Sequence, residues 1–316
     1  MAAPPARTVL VTGCSSGIGL ALAARLAKDP GGRFQVIATM RDLGKSRKLE
    51  EEAGSALGRT LSIRRLDVCS DSSVAECMAS IPGGHVDVLV NNAGVGLVGP
   101  LESTSLEQMK GVFETNFFGA VRMIRAVLPA MKRRRRGHIL VLSSVMGLQG
   151  VVFNDVYSAS KFAVEGFCES LAVQLLQFDV HVSLVEPGPV CTDFELKLLE
   201  EVSRSEYPGT DAATLGYFRD VYIPASQEIF RTLGQSPGAV AEAIVAVLCA
   251  RPPPFRTQTN ALYTPVLALK VADPSGELSV RALHRLLFRH SGLLRLSAAA
   301  LRCLTCGCLR RRVRPL

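Results

Sequence analysis

The sequence predicts an α/β fold: a single domain on a doubly wound parallel sheet, followed by a basic amphipathic C-terminal extension. Six short β-branched and aliphatic runs alternate with longer amphipathic segments over the first 190 residues, the βαβ pattern of a parallel sheet with helices on both faces. The 316 residues, 48% of them hydrophobic with 27 Gly, suit one domain of about 250 residues plus an appendage. Charge sets the appendage apart. The formal net charge is +8. After Glu277 no acidic residue occurs, while Arg281, Arg285, Arg289, Arg295, Arg302, Arg310, Arg311, Arg312 and Arg314 follow. Those arginines carry the whole imbalance, and the body before them is close to neutral.

Strands are expected at residues 9–12, 34–39, 61–66, 86–90, 138–142 and 180–185, and helices at 17–28, 45–57, 106–131 and 156–178. Residues 190–240 loosen into polar, partly helical sequence, where a substrate lid would sit. Arg251-Pro252-Pro253-Pro254 breaks the chain before its final stretch. The main domain is accordingly placed at residues 1–275 and the tail at 276–316. No basic segment followed by a long apolar run opens the sequence, so a secretory signal is not expected. Cys14, Cys69, Cys77, Cys168, Cys191 and Cys249 are scattered and Cys303, Cys306 and Cys308 clustered, the usage of a reduced, cytosol-facing protein. No apolar run reaches the roughly 18 residues of a spanning helix; membrane contact, if any, is expected at the surface.

The first strand runs into Thr12-Gly13-Cys14-Ser15-Ser16-Gly17-Ile18-Gly19. Glycines at a first βα junction permit a tight turn and close approach of backbone to a pyrophosphate at the positive end of a helix. Alone the pattern is weak; its place in a Rossmann-type layout strengthens it. The second strand ends Thr39-Met40-Arg41. An acid at that tip would bind a ribose 2′-hydroxyl, whereas an arginine attracts a 2′-phosphate. Arg41, helped by Ser15, therefore favours NADP(H) over NAD(H), the alternative being an ordinary surface arginine. Asp67 and Asn91-Asn92-Ala93-Gly94, after the third and fourth strands, are expected on the adenine and ribose side.

Tyr157 and Lys161 are four residues apart at the start of a predicted helix, so they share a face. A free phenol, with a pKa near about 10, is a poor proton donor partner near neutrality. A neighbouring ammonium stabilises the phenolate and suits Tyr157 to acid–base work on an alcohol/carbonyl pair. Ser144, ending the fifth strand, would polarise the carbonyl oxygen. Asn116, inside the preceding long helix, would position a water that relays protons from Lys161.

With the glycine turn, the Asn-Asn-Ala-Gly segment and the Ser spacing, the chain resembles the short-chain dehydrogenase/reductase family over residues 7 to about 195. The resemblance implies a Ser144–Tyr157–Lys161 triad assisted by Asn116, and a nicotinamide-contacting segment at Pro187, Gly188 and Thr192. Segments around Cys14–Gly19, Ala38–Asp42, Phe153–Tyr157 and Asp273–Gly276, the run Val145–Gly150 and Gly209-Thr210-Asp211 are similar to the branch of that family acting on retinoids and estrogenic steroids. That implies a lipophilic small-molecule substrate. Where the steroid enzymes anchor a far hydroxyl with His and Glu, the matching positions are read as Tyr217 and Leu286. An apolar pocket end suits a polyene ring, since an unpartnered buried polar group costs about 1–3 kcal/mol. All-trans-retinal with NADPH is the favoured pair, with the estrogenic 17β-hydroxysteroid reaction as the alternative within the fold. A cofactor-binding sensor without turnover is the alternative of another class.

In the tail, leucines interleave with arginines, and Arg281, Arg285 and Arg289 recur at helical spacing, as in a membrane-surface helix. The other reading is a helix packed on the body. Cys303, Cys306 and Cys308 are lipidation candidates. A zinc site there lacks an obvious fourth ligand, and no metal is expected. Val313-Arg314-Pro315-Leu316 resembles the Val-x-Pro-x terminus of rhodopsin, which implies photoreceptor outer-segment sorting. Nucleic-acid binding is not expected, because the basic tail carries no interleaved aromatics. The helices at 106–131 and 156–178 match the pair through which the family dimerises, so a homodimer is possible.

Overall fold

In the computed structural model, which describes residues 5–289, seven strands form one parallel sheet: β1 (Arg7–Val11), β2 (Phe34–Met40), β3 (Leu61–Arg65), β4 (Val88–Asn91), β5 (Gly137–Leu142), β6 (Val180–Glu186) and β7 (Arg256–Gln258). Their order is β3-β2-β1-β4-β5-β6-β7, so the winding reverses at β1, between β2 and β4. Alternation along β1 explains why both faces are dry. Val9 and Val11 enter one core with Leu22, Leu26, Ile244 and Leu248. Leu10 enters the other with Met123, Val127, Val164 and Leu175.

The flanking helices are α1 (Gly17–Ala27), α2 (Arg47–Ala53), α3 (Asp71–Ala79), α4 (Leu106–Phe113), α5 (Ala120–Arg134), α6 (Asp155–Leu175) and α10 (Pro237–Cys249). A π turn at Glu114–Gly119 interrupts the long helix expected at 106–131 and separates α4 from α5. Four elements differ from the expectation for physical reasons. Gly54, with φ at 53°, ends α2 early because a left-handed backbone cannot propagate a right-handed helix. The nine-residue α3 is too short and too polar for its apolar period to stand out. The thirteen-residue α10, most of it beyond the expected lid, is buried along an alanine- and valine-rich run that shows no clear apolar period. The three residues of β7 follow the proline run and pair with Leu184, Val185 and Glu186, so the prolines lead into an edge strand.

The lid is more regular than its sequence suggests: α7 (Asp193–Arg204), α8 (Ala212–Gly216), a π turn at Tyr217–Tyr222 and α9 (Ile223–Leu233). It has its own small core of Val202, Phe218, Tyr222 and Ile223, backed by Phe153 and Tyr207. Phe153 is held at φ 59°, a strained state for a residue with a Cβ, and is clamped edge-on by Phe218 and Tyr222. This fastens the lid to the start of α6. Beyond β7, α11 (Thr264–Ala272) and α12 (Glu277–His284) return across the sheet's carboxyl end. Lys270 of α11 donates to the Leu148 carbonyl at 2.5 Å and lies 4.3 Å from the Phe162 ring centroid. Lys270 thereby ties α11 to the loop after β5 and to α6.

His138 is buried in the sheet, 2.9 Å from Ser183 Oγ. Burial, with His181 and Arg7 nearby, holds its pKa down at about 3. A depressed folded pKa leaves the neutral ring's stability intact above the unfolded value and removes it as the pH falls towards the folded one. The stability advantage of the wild type over His138→Gln should shrink by about 2 kcal/mol between pH 7 and pH 4.5. Urea denaturation of both proteins at the two pH values measures it, and a pH-independent difference would refute the buried neutral ring.

Candidate active site

At the switch point the β1 and β4 loops approach so closely that side chains are excluded. Gly13 has φ 73°, and a Cβ there would lie 2.8 Å from the Ala93 Cα. A Cβ on Gly19 would lie 2.3 Å from the Gly13 oxygen and 2.4 Å from Asn92 Nδ2. Hydrogen bonds close the seam. Thr12 Oγ1 accepts from the N–H groups of Asn92 and Ala93, both at 3.0 Å. Asn92 Nδ2 donates to the carbonyls of Thr12 at 2.8 Å and Gly13 at 3.1 Å. Beyond the seam, α1 begins at Gly17 with no side-chain cap on its first turn, which leaves backbone N–H donors for an anion.

Gly13 lines one end of a cavity of about 740 Å³, while Gly19, expected at the cofactor, stays behind the seam and off the wall. Gly13, Ser15, Ser16, Gly17, Ile18, Arg41, Asp67, Asn92, Ala93, Gly94, Pro187, Gly188 and Thr192 all reach its wall. The cradle, the open helix end and an exposed arginine at the β2 tip fit a nicotinamide dinucleotide. Asp42, beside Arg41, spends its carboxylate on Gly44 N–H at 2.9 Å. Asp67 accepts from Cys69 N–H at 3.0 Å, which orders the loop after β3.

Ser144, Tyr157 and Lys161 line the middle of the same cavity. Ser144 is buried, and its Oγ accepts from Met146 N–H at 3.1 Å. Lys161 Nζ lies 5.7 Å from the Tyr157 ring centroid and donates to the Leu142 carbonyl at 2.8 Å. Burial lowers the Lys161 pKa to about 8, opposed by the charge of Glu165. A cation beside the phenol is the arrangement that stabilises phenolate. Asn116 sits in the π turn, a common device where a helix serves a site. Its amide group is committed: Oδ1 accepts from Val95 N–H at 2.8 Å, and Nδ2 donates to Val95 O and Ser160 Oγ, each at 3.0 Å. Ser160 donates in turn to the Tyr157 carbonyl at 2.7 Å, so Asn116 braces the turn of α6 that bears Tyr157.

The far end of the cavity is apolar. Tyr222, Ile229, Phe230 and Leu233 from the lid meet Leu262, Tyr263 and Leu267, with Leu283, Leu286 and Leu287 closing the wall. Leu286 stands where the sequence placed it. Tyr217 does not: it is 52% exposed, packs edge-on against Phe288 and is absent from the cavity wall. The π turn points Phe218 and Tyr222 inward and Tyr217 out, so the lid reaches the cavity wall through Tyr222 and, further along, residues such as Ala225 and Ser226. Tyr263 was missed altogether. Its half-buried ring sits under Gly188, where a Cβ would come within 2.9 Å, and desolvation raises its phenol pKa. Nothing local marks it, because the contact is made across residues distant in sequence.

Arg281, Arg285 and Arg289 are exposed while Leu283 and Leu287 turn inward, so the start of the extension is both packed on the body and basic outside. Cys303, Cys306, Cys308 and the final Val-Arg-Pro-Leu lie outside the described residues. No helix among the described residues is long and apolar enough to cross a membrane.

The short chain dehydrogenase family model matches residues 7–203. Retinol dehydrogenase 8 of Homo sapiens is 64% identical over 315 residues, covering 100% of each chain. 17-beta-hydroxysteroid dehydrogenase type 1 of Homo sapiens is 49% identical over 290 residues, 90% of this chain and 87% of its own. Among solved structures, the closed form of serine dehydrogenase complexed with NADP+ superposes with a TM-score of 0.64 at 30% identity, over 79% of this chain and 93% of that one.

Gly19→Ala forces a methyl group into the Gly13–Asn92 seam. It should weaken nicotinamide dinucleotide binding at least about tenfold, since even a 1.4 kcal/mol loss has that effect. Titration of the reduced cofactor's own fluorescence reads this directly; unchanged affinity would show that the seam does not shape the site.

Proposed function

This chain belongs to the short-chain dehydrogenase family, and from that premise we propose that it is an oxidoreductase reducing all-trans-retinal to all-trans-retinol with NADPH, reversibly, as in a visual cycle. One observation carries the reading: the Ser144, Tyr157 and Lys161 set opens into a cavity whose far wall is leucine and aromatic, in a chain 64% identical along its whole length to a retinol dehydrogenase.

Ser15, Ser16, Gly17 and Ile18 hold the pyrophosphate, Arg41 the 2′-phosphate, Asp67, Asn92, Ala93 and Gly94 the adenosine side, and Pro187, Gly188 and Thr192 the nicotinamide. Bound there, the dinucleotide supplies or accepts the hydride. Ser144 Oγ hydrogen-bonds the substrate's carbonyl oxygen. Tyr157 gives that oxygen its proton, and the Lys161 ammonium stabilises the phenolate left behind. With both side-chain N–H groups of Asn116 spent, a relay water would be held there through an oxygen and would return the proton from bulk through Lys161. The cellular excess of NADPH over NADP+ drives the reaction towards reduction.

The apolar wall favours a hydrocarbon ring over a hydroxylated one. The steroid relative supports a second reading, reduction of a 17-keto estrogen. A non-catalytic cofactor sensor would have no need of the acid–base set. The exposed arginines of the extension, continuing into Cys303, Cys306 and Cys308, support a membrane-surface anchor on the cytosolic side with acylated thiols, and the Val-x-Pro-x ending supports outer-segment delivery. Exposed Phe118, Val173 and Leu176 on the α4–α5 and α6 faces support a homodimer.

Initial rates with all-trans-retinal and estrone, each with NADPH and NADH, test the reading. Fast retinal turnover with NADPH is expected; a preference for estrone would transfer the protein to the steroid reading. Tyr157→Phe should lower kcat about 10²–10⁴-fold, and full retention of activity would end the acid–base assignment. Arg41→Ala should raise the KM for NADPH about tenfold and leave that for NADH nearly unchanged, as expected for loss of one charge-assisted contact; equal effects on both would remove Arg41 from phosphate recognition.

A further inference from the structure

Behind the reacting groups lies a second set of charges that the chemistry above does not use. Glu165 is one helical turn beyond Lys161 on α6 and is 5% exposed; Glu186, the last residue of β6, is fully buried. Arg256 of β7 reaches both, pairing closely with Glu165 and at 3.0 Å with Glu186, while its other nitrogen meets the exposed Glu169 at 3.0 Å. One oxygen of each buried glutamate, Glu165 Oε1 and Glu186 Oε2, accepts no hydrogen bond among the described residues. One guanidinium thus faces more carboxylate charge than it balances. The further cation whose charge bears on Glu165 is Lys161, four residues back on the same face of α6.

The set also joins the moving parts of the site. A Cβ on Gly147 would come within 3.0 Å of Glu165 Cγ and 3.2 Å of the Lys161 carbonyl, so Glu165 packs directly beneath the loop that begins at Ser144. Glu186 immediately precedes Pro187, whose carbonyl accepts from Val145 N–H at 3.0 Å. Arg256 therefore ties the helix bearing Tyr157 and Lys161 to the strand end bearing Pro187 and Gly188.

We propose that Glu165 is a positioning residue, the buried counter-charge of Lys161, and that Arg256 holds it there while fixing the nicotinamide-binding end of β6 to α6. This rests on the acid–base reading of Tyr157 and Lys161. Without a counter-charge, a fully desolvated ammonium releases its proton and the phenolate loses its stabilising partner. The groups that bear on Glu165 are Lys161, Cys168 and Glu169 from α6, Glu186 from β6 and Arg256 from β7. Burial and the charge of Glu165 push the Cys168 thiol up to about 12, so it is neutral and adds no charge. Burial first, and then the charge of Glu165, push Glu186 up to about 7, against the pull of Arg256. Burial raises the Glu165 carboxyl as well, opposed by the Ser143 hydroxyl and by the charges of Arg256 and Lys161, and the closer approach of Arg256 is to Glu165.

Two readouts on the full chain decide the matter. In ¹³Cε-lysine NMR, Glu165→Gln should move the Lys161 titration midpoint down by about one pH unit or more, because a facing negative charge has been removed. The high-pH fall of kcat for carbonyl reduction should move down with it, with little change in the NADPH KM. Arg256→Met should instead raise that KM about tenfold as the β6 end loses its tie, and Arg256→Lys should restore much of it. If Glu165→Gln does not fold, Glu165→Asp should give a smaller shift in the same direction. A Lys161 midpoint unmoved in the glutamate variants would overturn the counter-charge. An NADPH KM unmoved in Arg256→Met would overturn the tie. A wild type inactive on every carbonyl would defeat the proposed reaction, yet the NMR midpoint would still decide the role of Glu165.

Discussion

The approach of β1 to β4 at the sheet's reversal point is the constraint on which everything else depends. Thr12 contributes one hydroxyl that binds two backbone N–H groups of the neighbouring loop, and Asn92 returns two hydrogen bonds from its side chain. The seam leaves no room for a Cβ at Gly13 or Gly19. Because it is closed from both sides, the first turn of α1 is presented to the cavity with its N–H groups unspent. A parallel sheet offers such a crevice only where its winding reverses, which is why the anion-binding end of the cavity and the glycine turn coincide.

The reacting groups are set by a different balance, that of buried charge. Lys161 is held by a carbonyl of β5, and burial lowers its pKa while the charge of Glu165 opposes that. Glu165 pairs in turn with Arg256, which also reaches Glu186, so three elements that meet only in the fold are joined behind Lys161: α6, the end of β6 and the short edge strand β7. The π turn acts on the same helix from the other side, since Asn116 braces Ser160 and Ser160 holds the Tyr157 carbonyl. The proposed acid–base pair, Tyr157 and Lys161, thus has hydrogen bonds ahead of it and ion pairs behind it, the kind of preorganisation that spares a site from rearranging during reaction.

Selectivity belongs to the wall opposite. Lid and extension each contribute apolar side chains to it, and neither could close the cavity alone. The lid is pinned through the strained Phe153, and α11, which precedes the extension, through Lys270. Both pins land on the segment between Ser144 and Tyr157, so the substrate wall and the catalytic loop are mechanically one piece.

The sequence by itself determined the layers and six of the seven strands, and it pointed to the glycine turn and to Ser144, Tyr157 and Lys161, which the fold brings to one cavity wall. These are encoded by local patterns, because glycine turns, β-branched runs and an i, i+4 pair need only their neighbours to be read. It also located Leu286, through a resemblance along the extension. Only the tertiary structure decided that Tyr217 faces outward and that Ala225 and Ser226 reach the cavity wall, since a π turn rotates every later residue and leaves no mark in the apolar period. Tyr263 under Gly188 and the Arg256–Glu165–Glu186 set were invisible for a related reason. Each joins residues distant in the chain, and what makes them matter, burial from water and proximity across strands, is a property of the packed molecule alone.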